Sequence, residues 1–147
     1  MNQWFHRHAW RNHEAGLSRT NVVCDPVTGS IGGFVSLCSG QIERAHLPKP
    51  DQRNRPEVLP AILLARLAVD KACQGRGYAR SLMLFALRTA VASVETIGSF
   101  CVLTHPLDDE VREFYRQFGF EDLPFDPSRS MAVRIVDLVH NGLGRPE

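Results

Sequence analysis

The feature of this sequence that most constrains its fold is an apolar run that passes through a glycine-containing turn into a helical pattern. Residues 62–69 are almost continuously apolar, which is typical of a strand covered on both faces. From Ala79 onward the apolar residues recur every three or four positions, as in a helix with one buried stripe. Gly75 and Gly77 are therefore predicted to lie where a strand passes into a helix.

This turn has the properties of an anion-binding site. Glycine lets a ligand approach the backbone closely, and the first amides of a helix have no partner within the helix. The helix dipole favours negative charge at the same place, and Arg76 and Arg80 add two cationic side chains. The turn has neither the three-glycine spacing of a dinucleotide fold nor the Gly-Lys-Ser/Thr of a P-loop, so the motif must be of another type.

Two motifs resemble the GCN5-related N-acetyltransferase (GNAT) superfamily. QGRGYA at residues 74–79 matches the family signature Q/R-x-x-G-x-G/A at all three defined positions, and EFYRQFGF at 113–120 resembles its F-Y-x-x-x-G-F element. The resemblance implies an α/β (α+β) fold, in which a twisted mixed β-sheet is flanked by helices. Acetyl-coenzyme A would enter between the strand ending at Val69 and the strand ending at His105. The family pattern also has a first strand and short helix before Trp4 that this sequence does not show.

The resemblance implies acetyl-coenzyme A as the cofactor and direct transfer without an acyl-enzyme. It assigns the end of the central strand to the pantetheine arm and the glycine turn to the pyrophosphate. The predicted cofactor-binding residues are Leu67, Ala68, Val69, Gln74, Gly75, Arg76, Gly77, Tyr78, Ala79 and Arg80.

Tyr115 is the predicted catalytic residue, because the resemblance places this hydroxyl beside the coenzyme sulfur. A thiol has a pKa of about 8.5 and a phenol one of about 10, close enough for the phenol to protonate a leaving thiolate. The alternative is a structural tyrosine that packs its helix against the sheet.

His105 is the only evident candidate for a general base, and it is equally compatible with a core or substrate-binding position. A strong base is not required for every acceptor. An α-amine has a pKa of about 8, whereas a lysine amine near about 10.4 needs help to lose its proton. The sequence thus favours an α-amino acceptor.

Residues 39–60 combine four prolines with four cations, and they are predicted to form a long loop that borders the acceptor site. Arg44, Lys49, Arg53 and Arg55 are the predicted substrate-binding cations, together with His105. A mobile surface loop without function explains the same composition equally well.

The toxin branch of toxin–antitoxin modules, which acetylates aminoacyl-tRNA and stops translation, is the part of the superfamily that the chain resembles most. The matching segments include LARLAVDK at 64–71, ETIG at 95–98 and THPL at 104–107. This resemblance implies aminoacyl-tRNA as the substrate, a ribbon-helix-helix antitoxin and a homodimer. Two alternatives remain: acetylation of a small amine or protein N-terminus, and an inactive fold that only binds an antitoxin or its operator.

The remaining patterns predict one acetyltransferase domain over residues 1–139, shortened at its N-terminus, and a flexible tail over 140–147. No membrane or secretory segment is evident, so a cytoplasmic location is expected. Widely spaced cysteines predict free buried thiols, and no metal site is expected from the three N-terminal histidines. The net charge of +1 is too small for a strongly basic nucleic-acid binder. Outside the central strand and helix, the predicted helices are 2–15 and 107–118, and the predicted strands are 18–24, 31–38, 99–105, 120–125 and 130–138.

Overall fold

A computed structural model describes residues 3–143 as a mixed α/β fold. The strands are β1 (Arg19–Cys24), β2 (Ile31–Glu43), β3 (Val58–Val69), β4 (Cys101–Thr104), β5 (Glu121–Asp122) and β6 (Met131–Arg134). They form one six-stranded sheet in the order β1-β2-β3-β4-β6-β5. The helices are α1 (Trp10–Glu14), α2 (Lys49–Gln52), α3 (Tyr78–Ser93), α4 (Asp109–Arg116) and α5 (Ile135–Leu138).

The chain forms two compact units, and β2, β3 and α3 contribute residues to both. The first contains the described residues up to Cys38 together with Leu64–Leu87. The second contains Ser39–Leu63 and the described residues from Arg88 onward. The single domain over 1–139 stays a prediction. Residues 140–143 of the predicted tail belong to the segment Val139–Leu143, in which Asn141 and Gly142 depart from helical backbone angles, and residues 144–147 lie outside the described part of the chain.

In the first unit an N-terminal helical segment packs on the β1–β2 hairpin. A π-helical turn over Phe5–Ala9 runs into α1, and Gly16, with φ of 74°, follows the end of the helix. The rings of Trp4 and Phe5 lie 6.0 and 4.7 Å from the ring of Phe34, which is fully buried in β2. The predicted N-terminal helix and the antiparallel hairpin are both confirmed over the described residues.

Gly33 in β2 allows the closest backbone approach in this unit. A Cβ at this position would lie 2.9 Å from the carbonyl oxygen of Ala68 in β3 and 3.1 Å from a methyl group of Leu82. Because a backbone oxygen cannot move aside without disturbing its strand, any side chain at this position destabilises the strand pair. The double glycine at 32–33 is therefore a packing requirement of the strand pair.

We expect Gly33→Ala to lower the free energy of unfolding by about 1–3 kcal/mol, the usual cost of inserting a methyl group into a packed interior. Gly98→Ala is the matched control, because a Cβ at Gly98 has no neighbour within 4 Å. Denaturant unfolding of the two variants measures the difference. Equal stability would show that β2 and β3 can separate to accommodate the methyl group.

The second unit contains an apolar core to which β3 and β4 contribute most of the residues. The core residues are Ile42, Leu47, Leu59, Ala61, Cys101, Leu103 and Leu123. On its flank, the Asp108 carboxylate caps α4 by accepting from the amide of Val111 at 2.8 Å. The buried Arg112 of α4 donates to Asp122 at 2.6 Å and to the carbonyl of Arg129, which fixes the helix beside β5.

The prediction of a long loop over residues 39–60 is wrong. β2 continues to Glu43, a 3-10 turn covers Arg44–His46, and α2 follows directly after Pro48. The apolar side chains of Ile42 and Leu47 are buried in the core. Hydrogen bonds from Arg44, Gln52 and Arg55 to carbonyls of the same segment also order it, although it is otherwise polar and rich in proline. Irregular structure is confined to Leu47 and Pro48 and to the residues between α2 and β3.

Three further expectations need correction. The central strand starts at Val58 and is not covered on both faces, because Leu67, Ala68 and Val69 are only half-buried. The predicted strand over 130–138 ends at Arg134, and α5 follows because the buried residues Ile135 and Leu138 have helical spacing. The strand over 120–125 is confined to Glu121–Asp122.

All four cysteines are free, as predicted, but only Cys73 and Cys101 are buried; Cys38 is half-buried and Cys24, in an edge strand, is exposed. Burial raises the pKa of the Cys101 thiol to about 12. Within residues 3–143 there is no helix long and apolar enough to cross a membrane.

Candidate active site

The predicted strand–turn–helix is confirmed, and its turn is held by local hydrogen bonds. Beyond the end of β3, the amide of Asp70 donates to the carbonyl of Gly32 at 2.8 Å. The Asp70 carboxylate accepts from the amide of Ala72 at 3.0 Å and so caps a 3-10 turn over Lys71–Cys73. The chain then passes through Gln74 and the two glycines into α3.

Gly75 and Gly77 adopt left-handed backbone conformations, with φ of 82° and 79°. Both are exposed, and a Cβ on either would have no neighbour within 4 Å, so the turn is open to an approaching ligand. Ser81 donates its amide to the carbonyl of Gly77 at 3.1 Å, which closes the first turn of α3. Residues 78–80 come before Ser81 and supply the first amides of a 16-residue helix. Amides at this positive end of a helix bind anions, so the arrangement fits a diphosphate.

Arg76, between the glycines, is directed toward the β1–β2 hairpin. Its Nη1 donates to Oδ2 of Asp25 at 2.6 Å. Hydrogen bonds from the amide of Val27 and from Arg76 hold the pKa of the Asp25 carboxyl below its usual value. The hydrogen bonds of Arg76 with Asp25 and Tyr78 raise the pKa of its guanidinium. Arg76, which the sequence predicted beside the bound anion, is thus paired with a carboxylate of the protein itself.

Tyr115 lies in the second unit on α4, where it is buried and packs against Phe114 and Phe120, with ring centroids 5.8 and 5.3 Å away. Burial raises the pKa of the Tyr115 phenol, and a side-chain hydrogen bond with Thr104, at the end of β4, opposes this shift. The hydroxyl is therefore protonated at neutral pH, as a proton donor must be, and it is held by a second side chain. The packing also fits the structural alternative, which a variant lacking only the hydroxyl can separate.

His105 is exposed and follows the last residue of β4, so it is not a core residue. Its Nδ1 lies 2.7 Å from the hydroxyl oxygen of the buried Ser130. Ser130 is also hydrogen-bonded to the carboxylate of Asp126. Burial raises the pKa of this carboxyl, but hydrogen bonds from Ser130 and Ser128 have the larger effect, and the net shift of the pKa is downward. If Nδ1 carries the proton, Nε2 presents a lone pair, and His105 is equipped to accept a proton or a hydrogen bond.

The four predicted substrate-binding cations divide into two pairs. Arg44 donates to the carbonyl of Arg55 at 2.6 Å, and the Arg55 guanidinium lies 4.5 Å from the centre of the Phe100 ring. Both arginines are half-buried and support the fold of their own segment. Lys49 and Arg53 are exposed and are better placed to meet an anionic substrate, although the Lys49 ammonium also lies 5.3 Å from the centre of the Phe125 ring.

This chain is similar to known proteins over most of its length. The model of the acetyltransferase (GNAT) domain matches residues 21–122, which include the glycine turn and Tyr115. The chain belongs to the GNAT family. It is also 40% identical over 133 residues to a tRNA-acetylating toxin of Mycobacterium tuberculosis, covering 90% of this chain and 79% of that protein. A probable toxin TacT of Sinorhizobium fredii is 27% identical over 138 residues, or 88% of this chain and 76% of the other.

Solved structures share the GNAT fold of this chain. AtaT complexed with acetyl-methionyl-tRNAfMet superimposes with a TM-score of 0.86 at 24% identity, over 94% of this chain and 83% of that one. A mutant of KacT in which phenylalanine replaces a tyrosine gives a TM-score of 0.87 at 23% identity, over the same shares of the two chains. Membership of the GNAT family makes the protein an acetyltransferase whose acetyl donor is acetyl-coenzyme A.

Several residues around the predicted GNAT site were not found from the sequence. Asp25, Thr104 and Ser130 contact Arg76, Tyr115 and His105 respectively. The side chains to which these three bond lie 51, 11 and 25 positions away, and no local sequence pattern identifies such partners.

Proposed function

We propose that this chain transfers acetyl from acetyl-coenzyme A to the α-amine of aminoacyl-tRNA and thereby stops translation. The observation that carries the proposal is the 40% identity, over 90% of the chain, with a protein named as a tRNA-acetylating toxin. The open turn at the start of α3, whose amides suit a diphosphate, supports the donor half of the proposal.

In this proposal each group has a defined role. The turn over residues 74–79 binds the pyrophosphate, and the end of β3 at residues 67–69 lies along the pantetheine arm. Bound acetyl-coenzyme A supplies an acetyl group activated as a thioester. Tyr115 holds the proton that the departing sulfur takes up. His105 contacts the acceptor.

The acceptor half of the proposal rests on chemistry as well as on the relatives. His105 has the hydrogen-bonding partner that would orient it, and a lysine-type amine with a pKa of about 10.4 requires a strong base to lose its proton. An α-amine with a pKa of about 8 is partly neutral at cellular pH and does not need one. Charged tRNA offers this amine together with a backbone of phosphates.

The test is transfer of labelled acetyl from the coenzyme to purified charged tRNA, compared with uncharged tRNA, polyamines and peptides. We expect label only on the charged tRNA and recovery of an N-acetylated amino acid after deacylation. Growth should stop when the chain is expressed without an antitoxin. Labelling of polyamines or peptides at comparable rates would favour a general amine or N-terminal acetyltransferase instead.

Neutralising the exposed cations should affect tRNA and not the coenzyme. We expect Lys49→Gln combined with Arg53→Gln to weaken tRNA binding and to reduce the slope of log affinity against log salt by about 1 for each charge removed, while coenzyme affinity stays unchanged. Arg88→Gln, at an exposed position of α3, is the matched control for loss of a single surface charge. An unchanged salt slope in the double variant would exclude these side chains from the tRNA site.

The proposal includes a partner antitoxin of the ribbon-helix-helix type and a homodimer. Two solved relatives of the same fold are described as AtaT bound to the C-terminus of the antitoxin AtaR, one of them also with acetyl-coenzyme A. Co-expression with the adjacent small reading frame, followed by sizing of the purified complex, tests both partners. Toxicity that no neighbouring gene relieves would exclude the antitoxin part.

A further inference from the structure

The carboxylate of Asp25 is a rigid anchor in the β1–β2 hairpin. Its Oδ1 accepts from the amide of Val27 at 2.8 Å and from that of Thr28 at 3.3 Å. The Asp25 amide donates to the carbonyl of Ser30 at 2.8 Å, and its own carbonyl accepts from the amide of Gly29 at the same distance. Only 9% of the residue is exposed, so the second carboxylate oxygen has a fixed position and direction.

That second oxygen is bound by Arg76 in the glycine turn. The distance of 2.6 Å is that of a strong charge-assisted hydrogen bond, and the Arg76 side chain is half-exposed while that of Asp25 is mostly covered. Arg76 also forms a side-chain hydrogen bond with Tyr78, the first residue of α3. The guanidinium therefore links the hairpin to both the turn and the beginning of the helix.

Tyr78 is itself held against the sheet. A Cβ on Gly32 would lie 2.7 Å from the Tyr78 ring and 3.2 Å from the sulfur of Cys73, so the missing side chain of Gly32 makes room for both. In contrast, neither glycine of the turn has any neighbour within 4 Å of where its Cβ would be. Arg76 and Tyr78 thus attach the exposed glycine turn to the strands, in addition to the Asp70–Gly32 hydrogen bond that precedes it.

We propose that Asp25 is a positioning residue for coenzyme binding: acting through Arg76, it holds the glycine turn in the conformation that receives the pyrophosphate. The inference rests on the proposed assignment of that turn. Two glycines flank Arg76, and a turn of this kind loses much conformational freedom when it becomes ordered. If the turn is already ordered before the coenzyme binds, the entropy cost of ordering it does not weaken the affinity.

A competing role for Asp25 predicts the opposite change in coenzyme affinity. If Asp25 merely competed with the coenzyme for the Arg76 cation, removing its charge would release Arg76 to the pyrophosphate and strengthen binding. If Asp25 positions the turn, the same change weakens binding. The sign of the effect therefore decides between the two.

Asp25→Asn is the test, because asparagine keeps the oxygen that accepts from Val27 and Thr28 but loses the charge that faces Arg76. We expect the affinity for coenzyme A, measured by calorimetry, to fall about tenfold, which corresponds to the loss of one charge-assisted hydrogen bond. Turnover at saturating coenzyme should not change. Trypsin should cleave after Arg76 several-fold faster in the variant, because the turn opens more often.

A double-mutant cycle checks that Asp25 acts through Arg76. Arg76→Gln should weaken binding as much as Asp25→Asn, and the combined variant should bind no more weakly than either alone. Asp126→Asn, another aspartate whose side chain shapes a turn, is the matched control and should leave coenzyme affinity unchanged. Unchanged or stronger binding in Asp25→Asn, or additive losses in the cycle, would overturn the inference. Arg76→Gln tests the same contact should Asp25→Asn fold poorly.

The Gly77→Asp variant distinguishes two outcomes: failure of the role inferred for Asp25, and failure of the proposal that the glycine turn binds the coenzyme. If Gly77→Asp abolishes binding while Asp25→Asn does not alter it, the turn binds the coenzyme but Asp25 does not position it. If Gly77→Asp binds coenzyme A normally, the site itself is elsewhere and the role of Asp25 fails with it.

Discussion

Tyr115→Phe is expected to slow acetyl transfer by on the order of 10²-fold or more, the usual contribution of a positioned general acid. The change removes only the hydroxyl, and the ring keeps its contacts with Phe114 and Phe120. Because burial raises the pKa of the phenol, the proton is present throughout the neutral range and is lost only at strongly alkaline pH. Turnover of the parent should therefore show no loss of this group between about pH 6 and 9.

Single-turnover rates on charged tRNA with saturating acetyl-coenzyme A measure this effect. Coenzyme affinity and thermal stability should stay close to those of the parent, since neither packing nor the glycine turn is altered. Thr104→Val is a second variant, because it removes the side-chain partner of the hydroxyl while the hydroxyl itself remains; we expect a smaller loss. A rate for Tyr115→Phe within about twofold of the parent would show that Tyr115 is structural and that water protonates the sulfur.

Gly77→Asp is expected to reduce coenzyme affinity by more than about 10²-fold. The backbone at this position has φ of 79°, which strains any residue with a Cβ, and the new carboxylate would occupy the positive end of α3 where we place the pyrophosphate. Two negative groups cannot share that site without strong repulsion. Steric and electrostatic effects therefore act in the same direction.

Calorimetric titration with coenzyme A, alongside Gly98→Asp, is the measurement. Gly98 is exposed, and a Cβ there meets nothing within 4 Å, so the same substitution adds the same charge without a structural conflict. Circular dichroism should show that both variants fold. Tight binding by folded Gly77→Asp would remove the turn from the coenzyme site.

The sequence by itself determined the elements whose signals are local. The change of apolar spacing at Ala79 located α3, the glycines at 75 and 77 located the turn, and the motif over residues 113–120 located Tyr115 on its helix. Each signal depends on residues within a few positions of one another, through helical or strand periodicity and the backbone freedom of glycine. The family and the position of its coenzyme motif followed from the same segments.

Only the tertiary structure decided which side chains hold that motif in place and which cations remain exposed. Asp25 bonds to Arg76 from 51 residues away. Arg44 and Arg55 are half-buried against carbonyl and ring partners, while Arg53 of the same segment is exposed. Composition showed four equivalent cations in a loop rich in proline, yet burial of two apolar side chains and hydrogen bonds within the segment order it. The sequence gives the charge of each side chain, but the partner of that side chain depends on which distant segments the fold brings within about 3 Å of it.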